Sequence, residues 1–288
     1  MKRQEPGIGF IGSGNMAEAI IRGLISSGMA SPARIIIADR LESRLVHMAG
    51  TYEVKVSNSN AEAARESDIV FIAVKPPDVP GVLREIAPEF ETPSADGSGT
   101  DKLIISIAAG VTTGAIIAAL REGGLAGAFV PVIRAMPNIA VTIGEGMTVL
   151  VPGAGAEARD VERARRLFES VGRALSVDDE GLFDAITAIS GSGPAYFFYF
   201  MEALVRAGMD EGLPQDTARA LVLQTARGAA GLAVRSDAGL EELRRRVTSP
   251  GGTTEAALKV FEASALERMI GKAVKAAARR SKELSGAE

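Results

Sequence analysis

Few residues in this 288-residue chain could do chemistry by themselves. It has no cysteine and one histidine, His47. Thiolate catalysis, disulfides, zinc–thiolate sites and histidine-based triads are thereby excluded or left without parts. A reaction here is expected to draw its difficult step from a cofactor. The matching signal is Gly12-Ser13-Gly14-Asn15-Met16-Ala17, a G-x-G-x-x-A run between a short apolar stretch, I-G-F-I, and a helix-like pattern. In that context Gly12 permits a tight turn and Gly14 lets the backbone approach a pyrophosphate. Ala17 keeps the helix close to a sheet, and the free N–H groups of the helix start face anionic oxygens. Ser13, Asn15 and Met16 are expected to touch the pyrophosphate through the loop backbone. A glycine-rich strand-to-helix turn with no ligand is the plain structural alternative.

Two further groups carry chemistry. Asp39-Arg40 closes the second apolar run, R-I-I-I-A-D-R. An acid there accepts a ribose 2′-hydroxyl and favours NAD, whereas an arginine holds the 2′-phosphate of NADP. Both are present, so the sequence leaves NADPH and NADH open. Far downstream, S-P-G-G-T-T-E at Ser249–Glu255 places Pro250, Gly251 and Gly252 ahead of a helix starting near Thr253. Such a start binds anions, a carboxylate among them. Ser249 and Thr253 are also plausible helix caps. His47 lies in the polar run R-L-E-S-R-L-V-H-M and reads as a surface helix position.

The elements that must position these groups fall into two kinds. Short apolar runs recur at Ile8–Ile11, Arg34–Ala38, Ile69–Val74, Leu103–Ile107, Val130–Ala135 and Met147–Val151. Helical patterns alternate with them at Met16–Ser27, Leu41–Ala49, Ala61–Glu66, Val79–Ile86, Thr113–Arg121 and Ala158–Val171. Non-alternating β-branched strands between helices predict a parallel sheet covered on both faces. Glu91–Asp101, rich in Gly, Ser and Pro, reads as a surface loop. After Glu180 the strand signal stops. Helices are expected over Leu182–Ile189, Ala195–Gly208, Gln215–Arg235, Gly239–Val247 and Thr254–Lys282. The division is therefore an α/β domain over 1–179 and an all-helical one over 180–288. Two of those helices, A-Y-F-F-Y-F-M-E-A-L and A-R-A-L-V-L-Q-T-A-R-G-A-A-G-L-A-V, are apolar on more than one face. About 110 residues offer limited interior for them, which favours a helical dimer interface over burial within one chain.

A net charge of −4 with 24% charged residues points neither to nucleic acid nor to disorder. No apolar run reaches the ~18 residues of a membrane span. The start, M-K-R-Q-E-P, lacks the pattern of a signal peptide, so a cytoplasmic protein is expected.

With these residues set out, a resemblance becomes specific. G-F-I-G-S-G-N-M-A-E-A-I, A-V-K-P at Ala73–Pro76, S-I-A-A-G-V at Ser106–Val111, R-A-M-P-N at Arg134–Asn138 and G-E-G-M-T at Gly144–Thr148 resemble the pyrroline-5-carboxylate reductases. So do I-S-G-S-G-P-A-Y at Ile189–Tyr196, G-L-P at Gly212–Pro214 and V-T-S-P-G-G-T-T at Val247–Thr254. The match is collinear over almost the whole chain. It implies a Rossmann-type doubly wound domain followed by an all-α dimerisation domain. It also implies hydride transfer from NADPH or NADH to the C=N bond of 1-pyrroline-5-carboxylate, giving L-proline, in a homodimer or larger assembly.

The resemblance further implies roles for single residues. Thr254 matches the family's substrate-contacting threonine and is the expected catalytic residue. Glu180, Ser249, Gly251, Gly252 and Thr253 are expected at the substrate. Gly12, Ser13, Gly14, Asn15, Met16, Ala17, Asp39, Arg40, Asn60, Ala73, Val74, Lys75, Pro76, Ala108, Ala109 and Gly110 are expected at the cofactor, and no metal is expected. Ser192 either caps the following helix or lies near substrate. Two departures stand out: the usual M-P-N-T-P reads M-P-N-I-A, and Arg246 replaces an asparagine that contacts cofactor in some members. The rival readings are a hydroxyacid dehydrogenase, which needs a lysine base absent from Ile189–Tyr196, and a nucleotide sensor without turnover.

Overall fold

The structure is a computed structural model that describes residues 5–91, 102–126 and 130–286. Eight strands form one sheet: β1 Ile8–Ile11, β2 Ile35–Ala38, β3 Lys55–Ser57, β4 Ile69–Ile72, β5 Leu103–Ser106, β6 Val132–Pro137, β7 Gly146–Pro152 and β8 Gly172–Ser176. Their order across the sheet is β3-β2-β1-β4-β5-β6-β7-β8. Helices α1 Asn15–Ser26, α2 Glu42–Tyr52, α3 Asn60–Arg65, α4 Val79–Ile86, α5 Thr113–Glu122 and α6 Ala158–Glu169 connect them.

The inner strands are apolar on both faces because both faces are covered. Ile8, Phe10, Ile35, Ile37, Ile69 and Phe71 face one core with Ile20 of α1, Met48 of α2 and Phe168 of α6. The alternate residues Ile11, Val70, Ile72 and Ile104 face another, with Leu83 of α4 and Ile116 of α5. Phe10 and Phe71 stack at 4.5 Å between centroids, and Phe168 meets Phe71 edge-on at 5.9 Å. This is the doubly wound arrangement the pattern predicts.

Four details differ from the sequence reading. Strands β3 and β8 carry no apolar run, because each lies at an edge of the sheet and is largely exposed. Strand β7 pairs antiparallel to β6, so the sheet is parallel-dominated rather than wholly parallel. The link Asn138–Glu145 is shorter than the dozen or so residues a parallel crossover needs. The single helix expected over Thr254–Lys282 is two, α11 Thr253–Ala263 and α12 Leu266–Leu284, parted at Ala265, whose φ is +51°. The helix expected over Leu182–Ile189 is a 3₁₀ turn at Glu180–Leu182, then α7 Phe183–Ile186, then a π-helical turn at Thr187–Gly191.

The remaining helices are α8 Gly193–Asp210, α9 Gln215–Arg235 and α10 Leu240–Arg246. By compactness the chain forms two units, Met1–Gly191 with Ala277–Glu288, and Ser192–Ala276. The first unit thus runs past residue 179 and regains the end of α12, because the turn after Glu180 and the tail of α12 pack with the sheet domain. Within the second unit Phe200 and Phe261 meet at 6.5 Å. Phe197, Tyr199 and Val234 remain 71%, 70% and 72% exposed in the single chain. Such a patch fits an interface between copies. Among the described residues no helix is long and apolar enough to cross a membrane. The loop expected at Glu91–Asp101 lies, beyond Glu91, outside the described residues.

Candidate functional site

In an open α/β sheet, ligands bind beyond the carboxyl ends of the strands, where the strand order reverses. Here that point is the β1/β4 pair. Gly12 N–H donates to Ala38 O at 2.8 Å, Ala73 N–H to Ile11 O at 2.8 Å and Ile107 N–H to Ile72 O at 3.1 Å. The turns after β1, β2, β4 and β5 are therefore side by side. Gly12 has φ +95°, and a Cβ on it would lie 2.7 Å from the Ala73 carbonyl carbon. The Gly12–Gly14 and Ala73–Pro76 segments are thus in direct contact, which only a glycine at position 12 permits. Gly14 caps α1 without a side-chain hydrogen bond, and its solvent side is open. Ala17 is buried against the core. The first N–H groups of α1 have no intrahelical acceptor, as at any helix start.

Ser13 and Asp39 do something the sequence did not reveal. Ser13 is buried, and its N–H and Oγ both donate to Asp39 Oδ2, each at 2.7 Å. Leu41 N–H donates to Asp39 Oδ1 at 2.9 Å. The Ser13 N–H expected at a pyrophosphate is therefore engaged by Asp39. Burial raises the Asp39 pKa, but the Leu41 and Ser13 donors and nearby Arg44 outweigh it and hold the carboxyl below its ordinary value.

Arg44 was missed altogether. Its Nε donates to Ser13 O at 2.9 Å, Nη2 bonds the same carbonyl, and Nη2 also meets Glu18 Oε2 at 2.6 Å. No local pattern announces it, because its partners Ser13 and Glu18 stand 31 and 26 positions away in sequence. His47 is on the surface as expected, but its Nε2 lies 2.9 Å from Glu18 Oε1, which Tyr52 also reaches at 3.1 Å. Burial raises the Glu18 pKa; hydrogen bonds from His47, Arg44 and Tyr52 overcome this and hold it at about 2. A carboxyl depressed on folding adds stability above its unfolded pKa, and the gain disappears as pH falls toward the folded value. Glu18→Gln is accordingly expected to lower the urea midpoint near neutral pH. Its deficit against the parent should shrink as pH drops from about 4.5 toward about 2; a deficit independent of pH would remove this carboxylate from the account.

The other expected cofactor residues follow β2, β4 and β5, except Asn60, which follows the edge strand β3. Arg40, with its side chain 74% exposed, pairs with Asp78 Oδ2 at 2.9 Å. Asn60 opens α3 and donates to Glu85 Oε2 at 2.8 Å. Lys75 is exposed and precedes the turn at Pro76–Asp78. Ala108 is buried, Ala109 exposed, and Gly110 has φ +75°. Glu180 belongs to the same unit. Its Oε1 accepts from Thr113 N at 3.0 Å and Arg134 Nη1 at 2.8 Å, and its Oε2 accepts from Thr113 Oγ1 at 2.7 Å. Arg134, missed as a partner, was marked by being the one charge in the apolar strand V-I-R-A-M-P.

The second unit, described by itself, holds the other candidate group. Gly252, not Ser249 or Thr253, is the N-cap of α11, and no side chain caps the helix. Gly251 N–H donates to Glu255 Oε2 at 2.7 Å, and Gly252 N–H to Ser249 O at 3.0 Å. Gly251 and Gly252 thus shape the turn, and Thr253 and Thr254 at positions one and two of the helix keep N–H groups without an intrahelical acceptor. Thr254 is partly buried and Ser249 exposed. Ser192 precedes α8 without a capping hydrogen bond.

Comparison with known proteins gives a consistent picture. Residues 180–284 match the model for pyrroline-5-carboxylate reductase dimerisation, and residues 7–110 match that for coenzyme F420-dependent NADP oxidoreductases. A pyrroline-5-carboxylate reductase of Pseudomonas aeruginosa is 42% identical over 280 residues, 97% of this chain and 97% of that protein. A solved pyrroline-5-carboxylate reductase from Coxiella burnetii superposes with a TM-score of 0.89 at 37% identity, covering 98% of this chain and 99% of that one. The crystal structure of the Plasmodium falciparum pyrroline carboxylate reductase, with NADP bound, gives 0.82 at 28% identity, covering 97% and 98%.

Proposed function

This chain belongs to the pyrroline-5-carboxylate reductase family, and from that premise we propose that it reduces the C=N bond of 1-pyrroline-5-carboxylate to L-proline with NADPH. The observation that carries the reading is two glycine-rich turns that lead into helices whose N-caps are glycines, Gly12–Gly14 before α1 and Pro250–Gly252 before α11. Each suits one anion, a pyrophosphate and a substrate carboxylate. Such a chain needs no cysteine or histidine nucleophile, because a protonated imine is already electrophilic.

The residues present fit a dinucleotide. Gly12 lets the loop lie against Ala73, and the open face of Gly14 admits a pyrophosphate to the α1 N-terminus. Asp39 and Arg44 hold that loop through Ser13. Arg40, exposed and paired with Asp78, is the group suited to a 2′-phosphate, while Asp39 already accepts three hydrogen bonds. This supports NADPH over NADH. Bound reduced nicotinamide supplies the hydride. Thr253 and Thr254 N–H groups hold the substrate carboxylate. The Thr254 hydroxyl bonds the ring nitrogen, orienting the imine and relaying the proton that nitrogen gains as the C=N carbon accepts hydride. Ser249, Gly251 and Gly252 shape that turn. The helical residues 180–288 form the dimerisation and substrate domain of this proposal, and residues 1–179 the dinucleotide domain. Cytoplasmic residence belongs to the same reading and rests on its biosynthetic role.

Arg40→Ala is expected to weaken NADPH about tenfold, the loss of one charge-assisted contact, and to leave NADH unchanged. Titration with both cofactors checks it; an unchanged ratio would remove Arg40 from the site. The function itself is tested by NADPH consumption with 1-pyrroline-5-carboxylate, beside a hydroxyacid plus NADP⁺ as control. Turnover with the hydroxyacid alone would favour the dehydrogenase rival, and turnover with neither would favour a sensor.

A further inference from the structure

The segment Ala108–Thr113, where β5 gives way to α5, is held from two sides by residues distant in sequence. At its end, Thr113 gives both its N–H and its hydroxyl to Glu180, at 3.0 and 2.7 Å. The Glu180 carboxylate is in turn aligned by Arg134, 2.8 Å away and 4% exposed, whose guanidinium lies 4.5 Å above the Phe183 ring. Midway along the segment, Gly110 adopts φ +75°, and a Cβ there would stand 3.2 Å from the Leu284 carbonyl at the end of α12. One turn beyond Glu180, Asp184 Oδ1 accepts from Ser281 Oγ of that helix at 2.7 Å. Glu180 and Asp184 therefore tie the start of α5 and the end of α12 to one short turn.

We propose that Glu180 is a positioning residue: it fixes the Ala108–Thr113 segment for hydride transfer, with Arg134 aligning its carboxylate, and it does not bind substrate directly. This rests on the functional reading above, in which Ala108–Gly110 border the nicotinamide. Pulling the carboxylate away toward a substrate would leave a buried guanidinium unpaired and two Thr113 donors unmet, each a substantial cost. Its leverage on the reaction comes through geometry. The segment begins at the carboxyl end of β5, beside β4 and Ala73, and displacement of a reacting group by ~1 Å costs on the order of a hundredfold in rate.

The test compares full-length Glu180→Ala, Glu180→Gln and Thr113→Val with the parent. Turnover, imine KM and the isotope effect with 4-deuterated NADPH would be measured, together with hydrogen exchange of the 108–113 amides. Glu180→Ala and Thr113→Val should each lower kcat by about tenfold or more, with a larger isotope effect and an imine KM within about twofold. The double variant should be little worse than either single one. Glu180→Gln, which keeps an acceptor for Thr113, should fall between, and it stands in for the alanine variant if that fails to fold. A tenfold rise in imine KM at unchanged kcat, or full activity in Thr113→Val, would overturn the proposal. If the parent shows no imine turnover, the functional reading fails separately. The exchange data then decide: faster exchange at 108–113 in the Glu180 variants upholds the positioning contact, and unchanged exchange refutes it.

Discussion

Gly12→Ala is expected to lower NADPH affinity by about a hundredfold. The added Cβ would sit 2.7 Å from both the carbon and the oxygen of the Ala73 carbonyl and 2.8 Å from Val74 N, at φ +95°. An L-residue in a left-handed conformation costs about 1–2 kcal/mol, and the backbone atoms it strikes cannot rotate aside. Relief requires the loop to move away from the β4 turn, breaking the 2.8 Å bond from Gly12 N–H to Ala38 O and swinging the α1 N-terminus off the phosphates. Loss of two charge-assisted hydrogen bonds at about 1.5 kcal/mol each gives the hundredfold figure. Fluorescence titration of NADPH measures it, and thermal melting separates it from unfolding. Gly14→Ala is the control: its Cβ meets nothing within 4 Å, so the melting temperature should hold while the pyrophosphate approach is obstructed. Unaltered NADPH binding in Gly12→Ala would contradict the loop assignment.

Thr254→Ala is expected to lower kcat by about a hundredfold or more, in the range set by losing a positioned hydrogen-bonding or proton-relaying group. NADPH affinity should stay the same. The geometry makes this reading clean. Because Gly252 is the N-cap and no side chain caps α11, deleting the Thr254 hydroxyl removes no cap, and stability should change little. Thr254→Ser keeps a hydroxyl and should recover part of the rate. Small, equal effects on kcat and on cofactor affinity would reduce Thr254 to a helix residue without a reactive role.

What the sequence disclosed depended on whether a residue's role is local. The glycine loop, the β-branched strands and the helix starts follow from neighbouring residues, and the expected helices Val79–Ile86 and Gln215–Arg235 coincide with α4 and α9. Strands β3 and β8 carry no local signal, because edge strands need not be apolar. The break at Ala265 has no glycine or proline to announce it. Side-chain partnerships across the fold were the least legible. Asp39 reads as a ribose acceptor from its place after β2, yet its lone pairs meet Ser13 and Leu41. Glu180 reads by resemblance as a substrate contact; its Arg134 partner is 46 positions away. Only the charge in an otherwise apolar strand hinted that some carboxylate must answer it.

The central claim is that this chain delivers hydride to the imine carbon of 1-pyrroline-5-carboxylate. Isotope transfer tests it most directly: the protein is incubated with NADPH deuterated at the transferred C4 position and the imine, and the product is read by NMR. The account predicts L-proline carrying one deuterium at the former C=N carbon, formed mole for mole with NADPH oxidised. Proline without deuterium, or no proline at all while a hydroxyacid is oxidised, would contradict it.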